Sequence, residues 1–579
     1  MALSRRYRPV AARPVPATLP LEGDVPPLLQ RIYAARGVHS ATELDTGLAG
    51  LVPVGQFAGL APAVERLVAA RRRGERILIV GDFDADGATS TALLRRGFST
   101  LGFRAVDHLV PNRFETGYGL GPEVVALAAV RRPGLLITVD NGISSIEGVA
   151  EARRRGIDVI VTDHHLPGEA LPEACALVNP NLPDEPFPHK HLAGVGVAFY
   201  LLAALAQALA ARGEVDAAAP RRVADGLDLV ALGTVADVVP LDRNNRILVA
   251  QGLRRIRAGR AAPGVLALLR AGGREPARAV AADLGFAAGP RLNAAGRLTD
   301  MAVGIACLLT DDPVAAARLA GELDALNRER RALEARMREE AEALVARLPA
   351  QTTERLPPAL TLYHRDWHVG VVGLIASRIR ERHDRPVVAF APGEQGLLKG
   401  SARSVPGLHV RDALERVAVT RPGLIERFGG HAMAAGLSLR EAALDEFTEA
   451  FTAVAGAWLD AGQLSGQLLT DGELDAGQLE LDTAELLAAA GPWGAGFEEP
   501  SFHGRFEVRA AREVGSGHLR MELATPCGGA RVGGIAFGCP APWPVAGEQV
   551  DLVYRLQVNE WQGRRQPQLL VEHLQPPGP

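Results

Sequence analysis

The chain has 579 residues, too many for one hydrophobic core, so three or four domains are expected. A composition of 47% hydrophobic and 22% charged residues excludes a largely disordered chain. The formal net charge of −4 excludes a uniformly basic nucleic-acid binder but leaves room for a local basic patch.

Residues 1–50 read as an arm containing proline and arginine, followed by short helices. No apolar signal segment opens the chain, and its apolar stretches are short, or Ala-rich with charges nearby. A cytoplasmic protein without a membrane span is therefore expected. The four cysteines, Cys175, Cys307, Cys527 and Cys539, show no C-x-x-C spacing, which fits free thiols in a reducing compartment.

Between about 60 and 240, short apolar runs alternate with helical patterns. The runs are Ile77-Leu78-Ile79-Val80, then residues 135–139, then residues 158–162. Buried runs of this length between helices predict βα units around a parallel sheet, so the fold class is α/β. Residues 312–348 hold many charges and no proline after Pro313, which predicts a long helix; a hairpin broken near Gly321 is the alternative. Residues 356–460 form a second α/β region with LTLYH and PVVAF as strands and VVGLIASRIRER as a helix. Within it, GGHAMAAG places flexible glycines before a helical stretch, where backbone N–H groups could cradle phosphate. Beyond about 465, short strand-like runs separated by turn residues predict a small β-barrel. The expected division is an arm (1–50), a catalytic domain (51–300), a connecting helix (301–350), an α/β domain (351–460) and a barrel (461–579).

Acidic and imidazole groups follow the predicted strands: Asp82, Asp84 and Asp86 in GDFDADG, Asp140 in DNG, and Asp163, His164 and His165 in DHH. Asp237 lies in ALGTVADVVPL. The carboxyl ends of neighbouring parallel strands share one crevice. Carboxylates gathered there repel one another and resist desolvation unless a cation neutralises them. Oxygen ligands with imidazole suit Mn²⁺ or Mg²⁺, and two ions about 4 Å apart could clamp a phosphodiester. Singly, each piece has other uses: an Asp after a strand often caps a helix. The D-x-D-x-D-G string is also seen in calcium loops, but residue 93, where such a loop needs Glu, is Leu.

In this order, DFDADG, VDNGI, TDHH and ALGTVADVVPL resemble the four motifs of the DHH phosphoesterases. GGHAMAAG resembles the signature of the DHH-associated domain. GPRLNAAGR (289–297) and PNRFETGYGL (111–120) are similar to motifs of the RecJ subgroup, whose C-terminal barrel is an OB-fold. The resemblance runs from about residue 50 to the end. It implies a metal-dependent exonuclease that releases 5′-mononucleotides from the 5′ end of single-stranded DNA, in repair and recombination. It also implies that Asp84, Asp140, His164 and Asp237 hold one ion, with Asp140 bridging, and that Asp82 serves the second. By the same resemblance His165 faces the scissile phosphate and Asp163 orients an imidazole, while the role of Asp86 stays open.

For the DNA, nine arginines against three acids between 251 and 300 offer a phosphate track. Equally, Arg254, Arg255, Arg257 and Arg260 could line a solvated helix face. Within the subgroup motifs, Arg291, Asn293, Arg297, Arg113 and Tyr118 are the expected substrate contacts. Arg403, Gly429, Gly430 and His431 are expected to meet phosphate in the associated domain. Trp561 would either stack on a base or fill the barrel core. Expected partners are single-stranded DNA, a single-strand-binding protein and a helicase, around a monomer. A DHH enzyme acting on oligoribonucleotides or cyclic dinucleotides is the nearest rival, and its relatives tend to be shorter and lack a barrel. A non-catalytic replication scaffold is disfavoured by the intact acidic motifs.

Overall fold

The computed structural model describes residues 8–16, 21, 25–111, 119–348, 356–460, 466–515, 517–526, 530–539 and 541–577. The chain divides into two compact units: residues 18–328 with 491–499, and residues 1–17 with 329–490 and 500–579.

The first unit is built on a five-stranded parallel sheet. Its strands are β1 (Ile77–Val80), β2 (Val106–Leu109), β3 (Leu135–Val139), β4 (Asp158–Thr162) and β5 (Ala176–Val178), in the order β2-β1-β3-β4-β5. β1 and β3 are buried along their whole length, which is why they read as unbroken apolar runs rather than alternating ones. Val124, Val125 and Val149, from helices Pro122–Ala129 and Ile146–Arg154, pack on Leu78, Val80, Leu136 and Val161 on one face. Helices α1 (Ala85–Thr100) and α2 (Gly194–Ala211) cover the other, and α3 (Leu227–Ala236) packs on both.

α2 corrects one expectation. Its 18 residues carry no charge and are long and apolar enough to cross a membrane, yet 67% of them are buried inside this unit. It is thus packed as a core helix. The segment 491–499 is a second correction, since the sequence reading placed it with the barrel. Trp493 and Phe497 stack on Tyr33, with ring centroids 5.9 and 6.1 Å away, and the Arg246 guanidinium lies 4.2 Å over Phe497.

The long helix α5 (Pro313–Arg347) follows α4 (Gly289–Leu298) and runs unbroken for 35 residues. A Cβ at Gly321 would meet nothing within 4 Å, so this glycine neither packs closely nor breaks the helix, and the hairpin alternative falls. Asp324 ties the first part of α5 to Arg291 at 2.7 Å. In the second unit, Glu334 and Glu342 of the same helix pair with Arg378 and His383.

That second unit holds a five-stranded sheet of β6 (Leu360–Tyr363), β7 (Val387–Pro392), β8 (Leu397–Arg403), β9 (Arg427–Gly430) and β10 (Ala434–Arg440), in the order β9-β10-β8-β7-β6. GGHAMAAG is here a hairpin between β9 and β10, not the start of a helix. β10 pairs with β8 over seven residues and is largely buried, so sheet pairing overrides the helical tendency of its alanines. A closed barrel follows, of β11 (Phe502–Val514), β12 (His518–Ala524), β13 (Arg531–Ala536), β14 (Gln549–Trp561) and β15 (Arg564–Gln575). Trp561, at the β14–β15 turn, is exposed, which removes the core alternative for it. Near the N-terminus, Val10–Ala12 pairs in parallel with Leu468–Thr470, an element that no local pattern announced.

Candidate metal centre

The carboxyl ends of β1, β3 and β4 bring the three predicted segments together. After β1, Asp84 caps α1: its Oδ1 accepts from the N–H groups of Asp86 and Gly87, both at 3.0 Å. The turn is tight, because a Cβ at Gly87 would lie 2.5 Å from the Asp82 carbonyl oxygen. After β3, Asp140 sits in the left-handed region at φ 62, which aspartate tolerates better than most residues. Asn141 ties this turn to the sheet by donating to the carbonyls of Val80 and Val139. After β4, Asp163 is buried and organises the histidine pair. Its Oδ1 accepts from the backbone of His164 and His165 and from His165 Nδ1 at 2.7 Å, and its Oδ2 accepts from Ile143 N–H. A carboxylate can only accept, so His165 Nδ1 is the donor and Nε2 is left facing away from it. Asp237 follows the last residue of α3, and Val238 after it has φ 65.

His164 Nε2 lies 3.0 Å from Asp140 Oδ1, 3.5 Å from Asp237 Oδ2 and 4.0 Å from Asp86 Oδ2. Among the described residues, three groups offer ligand atoms within 4.8 Å of one another: Asp82 with Asp84 and Asp140, Asp86 with His164 and Asp237, and Asp140 with both histidines. Asp140 thus belongs to two groups, and Asp84 falls with Asp82 rather than with His164 and Asp237. Asp86 serves the fold as well: its two oxygens accept from Gly194 and Val195 N–H at 2.6 and 2.9 Å, capping α2.

Burial, and then the charges of their neighbours, hold the carboxyls of Asp86 and Asp140 well above the usual range. Burial and Asp84 push Asp237 up to about 7. Burial also opposes a charge on Asp163, but its bond to the His165 imidazole and the nearby charges outweigh this and lower it. His165 is likewise resisted by burial, yet Asp163, Asp237 and Asp82 raise it to about 9. A cluster whose carboxyls hold protons for want of positive charge fits divalent cations, and its oxygen and imidazole donors fit Mn²⁺ or Mg²⁺. Binding a cation must displace those protons. Mn²⁺ affinity is therefore expected to fall as the pH drops through about 7, by roughly tenfold per unit for each proton displaced. Calorimetric Mn²⁺ titrations in buffers of different ionisation enthalpy count those protons; an affinity that is flat from about pH 6 to 8 would contradict this account.

The expected DNA contacts are placed unevenly. Arg113 and Tyr118 lie outside the described residues. Asn293 accepts the Ala85 N–H at 2.8 Å, so it braces the first turn of α1. Arg291 is bonded to the carbonyls of Ala287 and Ala271 as well as to Asp324, which spends its guanidinium inside the fold. A Cβ at Gly296 would come within 1.7 Å of the Phe83 carbonyl oxygen. The GPRLNAAGR helix is thus a buttress pressed against the acidic loop, and Arg297 near its end is half-buried. Arg254, Arg255, Arg257 and Arg274 of the proposed track also bond within the unit, to Thr46, Asp225, the Ala279 carbonyl and Asp283. In the other unit Arg403 bonds to Ser377, Ser401 and the Ala402 carbonyl, while Gly429, Gly430 and His431 form the β9 end of the hairpin. A Cβ at Gly429 would meet nothing within 4 Å, which leaves the backbone there open.

Asn179 and Asn181 were missed by the sequence reading. Their amides donate to the carbonyls of His165 and His164 at 2.8 and 2.7 Å and fix the histidine turn. The available signal was VNPN, directly after the apolar β5 run.

Comparison with known proteins accords with this geometry. Family models match at residues 76–234 (DHH family, N-terminal domain), 356–457 (DHHA1 domain) and 470–573 (RecJ OB domain). The single-stranded-DNA-specific exonuclease RecJ of Dickeya dadantii is 55% identical over 99% of both chains. The chain belongs to the RecJ family. The RecJ of Escherichia coli is 52% identical over 97% of this chain and 98% of its own. Among solved structures, RecJ of Thermus thermophilus in complex with Mn²⁺ is 33% identical, with a TM-score of 0.78 over 96% of this chain and 76% of that one. A Mg²⁺ complex of the same RecJ matches at 31% identity and a TM-score of 0.73, over 96% and 75% of the two chains. RecJ membership joins the DHH, associated and OB domains in one chain, as the motif order implied.

Proposed function

We propose that this chain is a metal-dependent exonuclease specific for single-stranded DNA, releasing 5′-mononucleotides from the 5′ end in DNA repair and recombination. The observation that carries it is the convergence of Asp82, Asp84, Asp140, His164 and Asp237 at one sheet edge, in a chain of the RecJ family. Asp82, Asp84 and Asp140 would hold one Mn²⁺ or Mg²⁺ ion, and Asp140, His164 and Asp237 a second. When bound, such cations supply Lewis-acid stabilisation of charge developing on a phosphodiester. His165, kept protonated by Asp163, offers Nε2–H to a phosphate oxygen and stabilises the charge there. Asp86, Asn141, Asn179, Asn181 and Asn293 hold the three turns so that the ligands need not reorganise.

Residues 51–300 form the catalytic domain on this reading, 351–460 the associated domain and 461–579 the DNA-holding barrel, with 491–499 lending its aromatic residues to the catalytic unit. Arg297, Arg403, Gly429, Gly430 and His431 meet the phosphates, Arg113 and Tyr118 the nucleotide. The exposed Trp561 stacks on a base of the trailing strand. The protein acts in the cytoplasm as a monomer, with a single-strand-binding protein and a helicase supplying its substrate.

With Mn²⁺ and end-labelled DNA, the expected products from single strands are mononucleotides released first from the 5′ label, and blunt duplex should resist. Release that begins at the 3′ end, or equal digestion of blunt duplex, would refute the assignment.

A further inference from the structure

Three large apolar side chains stand exposed around the acidic cluster. Leu166 and Val238 directly follow the site residues His165 and Asp237 and are 63% and 68% exposed; Phe286 is 80% exposed. Phe286 lies on a π-helical turn, Leu284–Ala288, which runs straight into α4. That turn packs against the α3 end that presents Asp237. A Cβ on Gly285 would lie 3.2 Å from Val235 Cγ1, and one on Gly289 3.0 Å from Ala236 Cβ. The phenyl ring is thus carried by backbone wedged against the two helical residues preceding a metal-site carboxylate, while the ring itself faces solvent. Val238 adds a second departure, since a β-branched residue at φ 65 is strained and gains no burial in return. A π-turn and a strained residue at one helix end mark a place built for something other than packing.

We propose that Phe286, on the turn packed against the helix end that presents Asp237, is a stacking platform for an unpaired nucleobase next to the phosphodiester held at the acidic cluster; this rests on the exonuclease reading above. The chemistry selects that occupant. The cation-loaded cluster can grip only the phosphate, which is the same at every nucleotide, and a strand held there carries its bases alongside, each with an uncharged face. Every base has such a π-face, and stacking on an aromatic ring is sequence-tolerant. Inside a duplex both faces of a base are covered by its neighbours, so beyond the end pair the platform can be used only by an unpaired strand.

The test compares the Mn²⁺-loaded wild type with Phe286→Ala and Phe286→Trp. Substrates are a 5′-labelled oligothymidylate and the same strand with abasic residues at its first positions. Stacking of one base corresponds to roughly 5- to 150-fold in affinity. Phe286→Ala is expected to lose kcat/KM within that range on the normal strand and far less on the abasic one, and Phe286→Trp to stay close to wild type on both. Equal losses on the two strands, or no loss on the normal strand, would overturn the platform while leaving the exonuclease assignment standing. A wild type that digests neither strand would instead overturn that assignment, and the platform with it.

Discussion

Asp140→Ala is expected to abolish hydrolysis while leaving the protein folded. Among the described residues, Asp140 is the one carboxylate shared by an all-aspartate group and a group containing both histidines, so its loss damages both ligand sets. Changes to groups that only support ligands cost about 10- to 100-fold in metal affinity, and removing a shared ligand should exceed the upper figure. The fold should survive because the metal-free protein gains from the change: Asp140 is buried among like charges that hold its carboxyl well above the ordinary range. The turn itself is tied by the Asn141 amide and by the Asp140 backbone N–H to the Thr162 carbonyl, bonds that the substitution leaves in place. Relief of the buried like charge offsets the cost of alanine at φ 62, so thermal melting without metal should show a midpoint close to that of wild type. Adding Mn²⁺ should raise the midpoint of wild type and scarcely move the variant. Turnover near the wild-type rate, or a collapse of the metal-free variant, would contradict this assignment.

The second large effect is expected at a residue with no chemistry of its own. Gly296→Ala places a methyl where the Phe83 carbonyl oxygen already lies, 1.7 Å from the ideal Cβ position. That atom is backbone, so no rotamer change relieves the clash, and α4 and the acidic loop must separate. Overpacking of this kind costs roughly 1–3 kcal/mol, occasionally more. Functionally the displaced segment is the one that carries Asp82 and Asp84, so a shift of about 1 Å should lower kcat by about 100-fold. Arg291→Ala serves as a comparison, because it removes the ion pair to Asp324 without pressing on the loop. It should destabilise α4 yet retain most of the activity. A Gly296→Ala enzyme with wild-type melting and wild-type kcat would show that the close approach is not required.

Local chemistry made much of this protein legible. The runs 77–80, 135–139 and 158–162 are strands to the residue, because strands buried on both faces need unbroken apolar side chains and end where charge begins. Their parallel pairing puts the acidic and histidine turns at one edge by topology alone, so the candidate ligands could be named before their distances were known. The barrel strands were visible as well, since turn residues punctuate them.

Tertiary structure decided the rest, and in each case the partner lies far away in the chain. Asp86 looked like one more ligand or a cap of its own helix, but it caps a helix 108 residues downstream. GPRLNAAGR looked like a phosphate grip alone, and only the approach of Gly296 to Phe83 shows that it is also a buttress. Most of the nine-arginine track is spent on bonds inside the unit, which no count of charge can reveal. GGHAMAAG pairs as strands because β8 offers a buried edge, a context absent from its own glycines and alanines. Val10–Ala12 and the aromatic segment 491–499 find their places through residues hundreds of positions away. Periodicity and turn chemistry act over a few residues and can be read locally. Capping, close backbone contact and charge compensation depend on which distant atoms arrive, and only the folded chain settles that.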